Sequence, residues 1–394
     1  MLRALILAAR PTIVAMKLCR VLSNRGYRVD VFGEIGSPAF ASNFCHRRLV
    51  SPPLSNKDEV RRSLKTIFVR GEHDVVFLCD EEILEIIFPL LDAGSLPGLP
   101  LSSPGAIEIL LSKSSTLRFA DNAGVPVPKT HVPSDEAEVE GIARTLGEHL
   151  LVKGERSDGG KNVRLVTRTS ELLPFYREIL KRESAYGGRP AIQEFIVGQA
   201  YSVAGLFHNG QGLRVCAHRK LLTYPPAGGW TVKGITERPV GLLEEAFKIF
   251  GALKYTGLGH AEFICDTRDG KFRFLELNPR VWGSIGIARH AGVDLYEPYQ
   301  ALARGIPVAP DLRFREKVEY HRLSGEFRFA MKRPSRLFGL LGDSFNFRLH
   351  SDFEWSDLGP QICAVSGLPW PRILATTRKS RSHEGRHGHR LNTE

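Results

Sequence analysis

Short apolar runs alternate with amphipathic helical patterns over the first hundred residues of the chain. "RALILAA" and "YRVDVFG" have the composition of buried strands, and the intervening "TIVAMKLCRVLSNRG" has helical spacing that ends at Gly26. The alternation continues through "DEVRRSLKTIFVRG", "DVVFLCD" and "EEILEIIFPLLDAG". Strands that alternate with helices predict a parallel sheet covered by helices.

Two glycine-rich nucleotide motifs do not occur where they would be expected. The first strand is followed by "AARPTIV" instead of G-x-G-x-x-G, and the sequence contains no G-x-x-x-x-G-K-[ST]. The first unit is therefore predicted to be Rossmann-like in outline, without a dinucleotide site, and a P-loop is excluded.

The proline- and glycine-rich stretch "LPGLPLSSPG" marks the first domain boundary. Beyond it, "AIEILLSKSSTLRFADNAG" reads as one helix, "RKLLTYPPAGGWTVKGI" as a mobile loop, and "IGIARHAGVDLYEPYQALARG" as a helix, a turn and a second helix. The predicted division is 1–103, 104–305 (with subdomains of about 104–190 and 191–305), 306–377 as a terminal segment, and 378–394 as a basic tail too polar to fold.

The stretch "HAEFICDTRDGKFRFLELNPRVWGS" predicts a β-hairpin, because an Asp-Gly pair supplies the positive backbone angles of a tight turn. A turn centred between Arg268 and Asp269 pairs residues whose numbers sum to roughly 537 or 538, so Glu262 is expected beside or directly opposite Glu276. Side chains alternate across a strand, so Glu276 and Asn278 should share one face and Leu275 and Leu277 the other.

Paired carboxylates repel each other, and a divalent cation between them is the simplest way to stabilise them. Two carboxylates and an amide suit a hard ion such as Mg²⁺, which makes Glu262, Glu276 and Asn278 the predicted metal ligands. Arg280 follows directly and could hold a phosphate or acyl-phosphate oxygen. The alternative is that these are polar residues on the wet face of an ordinary hairpin.

Composition narrows the class of protein. The chain has 42% hydrophobic and 25% charged residues, as soluble globular proteins do, and no apolar run long enough to cross a bilayer, so a cytoplasmic protein is expected. Its six cysteines form no CxxC pair. The net charge of +11 fits either nucleic acid or phosphorylated small molecules, but nucleic acid is disfavoured because basic and aromatic residues are not interleaved.

Taken together, residues 1–305 resemble the ATP-grasp superfamily, and specifically its carboxylate–amine ligase-like branch. The resemblance implies a Rossmann-like preATP-grasp domain followed by an α+β ATP-grasp fold whose two subdomains clasp ATP. It also implies that Mg²⁺, or Mn²⁺ in its place, accompanies the nucleotide on Glu262, Glu276 and Asn278.

The resemblance assigns further residues to the nucleotide site. Its two nucleotide lysines fall on Lys113 of "LLSKSSTLRF" and Lys153 of "LLVKGERSDGGKNV", and its phosphate loop falls on Gly159 and Gly160. The adenine hinge falls on "QEFIVG", with the backbone of Glu194, Phe195 and Ile196 pairing with the base edge and Gln193 or Glu194 reaching the amino group. Many members hold the ribose with an acid near position 200, where this chain has Ala200.

Other residues are expected around the transferred group. Arg280 and Lys220 are the predicted catalytic residues, with Arg219 beside Lys220, and a solvated charge pair is the alternative for Arg219 and Lys220. Trp282, Ser284 and His290 are candidates for the acceptor pocket, and simple packing is the alternative for Trp282.

The resemblance implies an ATP-dependent ligase that joins a small carboxylate to an amine through an acyl phosphate. An ATP-grasp carboxylase that uses bicarbonate, and a non-catalytic ATP-binding module, stay open as alternatives. The sequence does not define the oligomeric state, for which a homodimer is one hypothesis.

Overall fold

The computed structural model describes residues 1–10, 12–91, 96–147, 149–155, 162–184, 187–224, 229–323, 325–326, 350–352 and 354–366. The basic tail and the loop glycines Gly159 and Gly160 lie outside these ranges. The described strands form three sheets, of four, four and seven strands.

The first sheet is parallel, with strand order β3-β2-β1-β4. Its strands are β1 (Arg3–Leu7), β2 (Arg28–Gly33), β3 (Arg47–Val50) and β4 (Val75–Leu78), and its helices are α1 (Ile13–Ser23), α2 (Lys57–Arg70) and α3 (Glu81–Leu91). Nearly every residue of β1, β2 and β4 is buried, as expected for a sheet covered on both faces. The Rossmann-like outline predicted from the alternating pattern is confirmed.

Two helices follow where one was predicted. These are α4 (Pro104–Leu110) and α5 (Lys113–Asn122), and the chain breaks between them at Leu111 and Ser112. The Ser112 side chain accepts a hydrogen bond from the backbone N–H of Ser115, so it caps α5. The break makes Lys113 the first residue of a helix.

The second sheet is antiparallel, with strand order β5-β8-β6-β7. Its strands are β5 (Thr130–His131), β6 (Leu150–Lys153), β7 (Val163–Val166) and β8 (Ala191–Glu194), and its helices are α6 (Ala137–Leu146) and α7 (Thr169–Glu183). Its own apolar core includes Val152, Leu172 and Tyr176. We call this unit the small sheet.

The third sheet, which we call the large sheet, has the strand order β13-β12-β9-β10-β11-β14-β15. Its strands are β9 (Gly198–His208), β10 (Gln211–Tyr224), β11 (Trp230–Thr236), β12 (Gly257–Asp266), β13 (Phe272–Asn278), β14 (Glu319–His321) and β15 (His350–Ser351). Helix α8 (Leu242–Ala252) packs against it, and α9 (Gly286–His290), α10 (Tyr296–Ala303) and α11 (Leu358–Ser366) follow.

Two features of the large sheet bear on the sequence predictions. The stretch expected to be a mobile loop is mostly strand, because β10 continues to Tyr224 and β11 begins at Trp230; residues 225–228 between them lie outside the described ranges. The segment 306–377 contributes β14 and β15 to the edge of the sheet. The helix, turn and helix predicted around residues 285–305 are confirmed by α9 and α10.

None of the helices in the described ranges combines the length and the apolar character that crossing a bilayer would require.

Phe207 lies at the centre of the core under the large sheet. Its ring is fully buried and stacks on Phe250 with centroids 3.6 Å apart, and Tyr255 meets it edge-on. Phe207→Ala is expected to destabilise the fold by about 3–5 kcal/mol, because the deletion leaves a cavity that this close packing cannot fill. Chemical denaturation should show a lower midpoint for the variant, whereas Val240→Ala, at a side chain that is 99% exposed, should leave the midpoint unchanged.

Candidate active site

The predicted acidic hairpin is present and consists of β12 and β13. Glu262 lies directly opposite Glu276, and His260 lies opposite Asn278, in the antiparallel register of the two strands. The connecting turn closes through a hydrogen bond from Gly270 N to Asp266 O of 2.8 Å, with Gly270 in the left-handed region at φ +69°. The prediction that the two glutamates face each other is confirmed.

A β-bulge at Leu275 sets the two faces of β13. Phe274 pairs with Phe263 while Glu276 pairs with Glu262, which leaves Leu275 as the extra residue. Both predicted register sums therefore occur, 537 on the turn side of the bulge and 538 beyond it. Phe274 and Leu277 both lie in the core as a result, while Glu276 is turned toward the site.

Two lysines from different elements neutralise the carboxylate pair. Lys220 of β10 donates from Nζ to Glu262 Oε2 at 2.6 Å, and Lys220 is almost completely buried. Lys113, at the start of α5, places Nζ 3.7 Å from Glu276 Oε2. Each glutamate thus pairs with its own lysine.

A third lysine approaches from the small sheet. Lys153, the last residue of β6, donates from Nζ to Gln193 Oε1 at 2.5 Å, and Gln193 in turn donates from Nε2 to Thr130 Oγ1 at 2.7 Å. Burial lowers the pKa of Lys153 to about 8, with nearby Glu276 and Glu262 opposing the shift and Lys113 adding to it. The structure therefore brings Lys113, Lys153 and the acidic hairpin together.

The pKa values of the two carboxyl groups are shifted in opposite directions. Burial raises the pKa of Glu262, and Lys220 only partly offsets this. Burial acts in the same direction on Glu276, but Lys113 and the Asn278 amide outweigh it, so its pKa is lowered. Glu276 is the more firmly ionised of the two, and a cation bound between them would favour ionisation of both.

Arg280 joins the hairpin to the first sheet. Its Nε donates to Glu81 Oε1 at 3.1 Å and its Nη2 donates to Asn278 Oδ1 at 3.2 Å. The next backbone N–H, of Val281, donates to Leu78 O at the carboxyl end of β4 at 2.9 Å. The guanidinium therefore lies where the parallel sheet meets the acidic hairpin, with Glu81 at the start of α3.

The donor set fits a hard divalent cation. Glu262 and Glu276 offer carboxylate oxygens, and Asn278, which donates from Nδ2 to Glu276 Oε1 at 3.0 Å, offers an amide oxygen beside them. Within the described ranges no cluster of three or more His, Cys, Asp or Glu side chains could hold a metal ion. Mg²⁺ or Mn²⁺ here would need further oxygen ligands, such as those of a polyphosphate.

The predicted adenine segment joins the small sheet to the large sheet. The N–H groups of Glu194 and Phe195 already donate to Lys129 O (3.0 Å) and His149 O (2.9 Å). The Glu194 carboxylate accepts from Lys129 N at 2.9 Å and from the Arg268 guanidinium at 3.2 Å. The side chains of Glu194 and Gln193 therefore both have partners within the protein, and which of them reaches the adenine amino group stays a prediction.

In the described part of the chain, four other candidate residues make no direct contact with the two glutamates. Arg219 lies on the opposite face of β10 from Lys220, where its guanidinium pairs with Glu237 at 2.8 Å. Trp282 is buried and stacks on His260, Ser284 is buried, and His290 stacks on His350. His260 Nδ1 in turn lies 3.7 Å from Glu262 Oε1, and a place for Trp282, Ser284 and His290 in the acceptor pocket stays a prediction.

Sequence reasoning missed a buried polar row beside the glutamates. His218 on β10 pairs with Ser202 on β9, which pairs with Glu262 on β12. His218 and Ser202 are fully buried. Neither the His218 ring nitrogens nor Ser202 Oγ has a hydrogen-bond partner in the described part of the chain. Burial lowers the pKa of His218 to about 3, so the imidazole is neutral. The sequence signal that could have revealed His218 is its position two residues before Lys220, because residues two apart lie on the same face of a strand.

Comparison with known proteins identifies the fold. Residues 111–284 match the family described as the ATP-grasp domain. The solved biotin carboxylase of Campylobacter jejuni superposes with a TM-score of 0.65 over 81% of this chain and 74% of its own, at 15% identity. The L-amino acid ligase of Bacillus licheniformis gives 0.58 over 77% and 74%, at 19% identity. The fold is thus of the ATP-grasp type, as predicted.

The biotin carboxylase of Pseudomonas aeruginosa is similar in sequence, at 26% identity over 215 residues. That alignment covers 50% of this chain and 46% of the relative, and other carboxylase matches cover as little as 17% of the relative's length.

Proposed function

Since residues 111–284 are an ATP-grasp domain, we propose that the chain is an ATP-dependent ligase that joins a carboxylate to an amine and releases ADP and phosphate. The observation that carries the proposal is the convergence of Lys113, Lys153 and Lys220, from three separate elements, on the paired carboxylates of Glu262 and Glu276. Such a set of cations and carboxylates fits a nucleotide triphosphate with its divalent cation.

The chemistry has two steps. A carboxylate oxygen of the acid attacks the γ-phosphorus of ATP, the bond to the β–γ bridging oxygen breaks, and ADP leaves. The amine nitrogen then attacks the acyl carbon, phosphate leaves with the electrons of the C–O bond, and the nitrogen loses a proton. The first step is needed because a carboxylate oxygen is a poor leaving group. Positioning and charge neutralisation are the main contributions of the protein.

The residues of the site would divide this work. A divalent cation on Glu262, Glu276 and Asn278 would neutralise phosphate oxygens. Lys113 and Lys153 would balance the remaining charge of the triphosphate, and Lys220 and Arg280 would face the acid and the transferred phosphoryl group. Lys220 and Lys113 pair with the two glutamates, which holds their ammonium groups at the site.

Bicarbonate is the second candidate for the acid. Curated relatives are carboxylases, including the biotin carboxylase of Pseudomonas aeruginosa. The same residues would act on bicarbonate, with carboxyphosphate in the place of the acyl phosphate. Small-molecule substrates are expected in either case, and the homodimer stays a prediction.

Release of ADP and phosphate tests the proposal. Purified protein with Mg²⁺ and ATP would be screened against pools of carboxylates and amines in buffer depleted of carbon dioxide, and then with bicarbonate added back. ADP formation that needs both an organic acid and an amine supports the ligase, and dependence on bicarbonate supports the carboxylase. Binding of ATP without turnover in any combination would overturn both in favour of a non-catalytic module.

Glu81→Gln tests the role assigned to Arg280. The Glu81 carboxylate accepts a hydrogen bond from Arg280 Nε. Replacing the carboxylate by an amide should weaken this contact, so that Arg280 is less well oriented, and should lower kcat by about tenfold while KM for ATP is unchanged. Glu82→Gln is the matched control, because the neighbouring Glu82 pairs with Arg10 instead. Equal kcat values for the two variants would contradict the role of Glu81.

A further inference from the structure

We propose that Arg268, in the turn of the acidic hairpin, is a positioning residue that fixes the adenine-binding segment without touching the nucleotide. The inference deepens the proposed function and rests on it, since it takes residues 193–196 to hold the adenine base. Its basis is a set of contacts between the hairpin turn and the short connection from β8 to β9.

The connection between the two sheets is only residues 195–197 long, and the hairpin turn holds its far end. Thr267 donates to Val197 O twice, from the backbone N at 3.0 Å and from Oγ1 at 2.9 Å. At Gly198 the chain passes so close to β12 that an added Cβ would clash with the backbone oxygen of Cys265. A larger residue there would push the connection off the hairpin.

Arg268 holds the near end of the same connection. Its Nη1 and Nη2 each lie 3.2 Å from Glu194 Oε2, and Glu194 Oε1 accepts from Lys129 N at 2.9 Å. The Glu194 carboxylate is therefore shared between the small sheet, through Lys129, and the hairpin of the large sheet, through Arg268. Because Glu194 is buried and immediately precedes Phe195, the position of Glu194 determines where the backbone of the connection begins.

The guanidinium is itself oriented by the hairpin. Asp266, whose side chain is inaccessible to solvent, accepts from Arg268 Nη2 at 2.6 Å and from Nε at 3.0 Å. Asp266 also pairs with Arg273 Nε at 3.0 Å, so it keeps a cation when Arg268 is changed. Within the part of the chain that the structure describes, the Glu194 carboxylate would then keep only the Lys129 N–H as a donor.

These contacts predict an effect on binding more than on stability. The Arg268 side chain is 57% exposed, and exposed ion pairs contribute little to folding. A buried carboxylate that loses its cation, by contrast, will move toward water or toward another donor, and the hinge backbone attached to it will move as well. Recognition of the base should weaken, whereas recognition of the phosphates, which belongs to the lysines and the acidic pair, should not.

The experiment measures equilibrium binding of ADP and of inorganic tripolyphosphate, both with Mg²⁺, to the full chain. Arg268→Gln is expected to weaken ADP binding by about tenfold, to leave tripolyphosphate binding unchanged and to lower the melting temperature only slightly. Arg268→Lys should recover part of the loss, because an ammonium can still reach Glu194. In the turnover assay, Arg268→Gln should raise KM for ATP with little change in kcat.

Arg313→Gln is the matched control. Arg313 binds Asp311 two residues earlier through its backbone N, Nε and Nη2, as Arg268 binds Asp266, and its side chain is 91% exposed. Wild-type affinity for ADP in Arg268→Gln, or an equal loss for ADP and tripolyphosphate, would overturn the inference and leave the proposed function standing. Failure of the wild-type chain to bind ADP would overturn the proposed function and this inference together.

Discussion

Glu276→Gln is expected to lower kcat for ATP-dependent turnover by about 100- to 1,000-fold, the loss typical of removing one preorganised charge from a transition state for group transfer. The amide keeps the shape of the side chain and can still accept a hydrogen bond, but it removes the charge that would hold a divalent cation and that faces Lys113 at 3.7 Å. Because Lys113 and Asn278 keep the pKa of Glu276 low, the wild-type side chain carries this charge throughout the neutral range.

The control for this variant is Glu319→Gln. Glu319 lies on β14 of the same sheet and also faces a lysine, Lys233, at 4.0 Å, but it is remote from the acidic pair. Initial rates at saturating ATP and Mg²⁺, with melting temperatures for both variants, separate loss of chemistry from loss of fold. Undiminished turnover in Glu276→Gln would remove the hairpin from the proposed mechanism.

ATP affinity is expected to fall with rising pH because of Lys153. Its pKa is lowered to about 8, so the ammonium is present below that pH and is lost above it. Bound phosphates raise the pKa of a nearby lysine, so binding above pH 8 must take up a proton, and Kd should rise by up to about tenfold per pH unit until the pKa of the complex is reached. Lys153→Met should weaken ATP binding by about 100-fold at pH 7 and remove this pH dependence, since the charge is then absent throughout.

Isothermal titration calorimetry between pH 7.5 and 9.5, in two buffers of different ionisation enthalpy, measures both Kd and the proton uptake. Lys153→Arg is the control, because its guanidinium stays charged across this range and its affinity should be flat with pH. A wild-type Kd that is constant over the range, or a slope that persists in Lys153→Arg, would show that another group is responsible.

The hairpin was predictable because its determinants are local. Asp269 and Gly270 fix the turn, and a fixed turn dictates which residues face each other across the two strands. The bulge at Leu275 was not predictable from that information. It depends on packing Phe272 and Phe274 into the same core as Leu277, which are contacts made far along the chain.

Two further differences have physical reasons. The helical periodicity runs unbroken through "ILLSKSS", but Ser112 ends one helix and caps the next, and its side-chain cap was the only local signal. Likewise, the prolines and glycines of "YPPAGGW" concealed strand residues on both sides of them.

The charged residues of the candidate site were predictable from the sequence, but which of their side chains face the acidic pair was harder to predict. Strand alternation alone implies that Arg219 and Lys220 cannot both face the acidic pair, and in the structure Lys220 is the one that contacts Glu262. The role of Glu194 could not be predicted, because its cation, Arg268, lies 74 residues away.

The extra residue at Leu275 separates two parts of β13: the residues before it pack in the core, and Glu276 after it faces the acidic site. The aromatic side chains before it can be exchanged for others of similar volume without altering the direction of the ligands after it, so the interior of the sheet is open to drift while the chemistry stays aimed. Deleting Leu275 would restore a regular strand in which Phe274 and Leu277 still face the core and Glu276 still faces the site, whereas regular pairing of Leu275 would turn Glu276 to the face of Phe274.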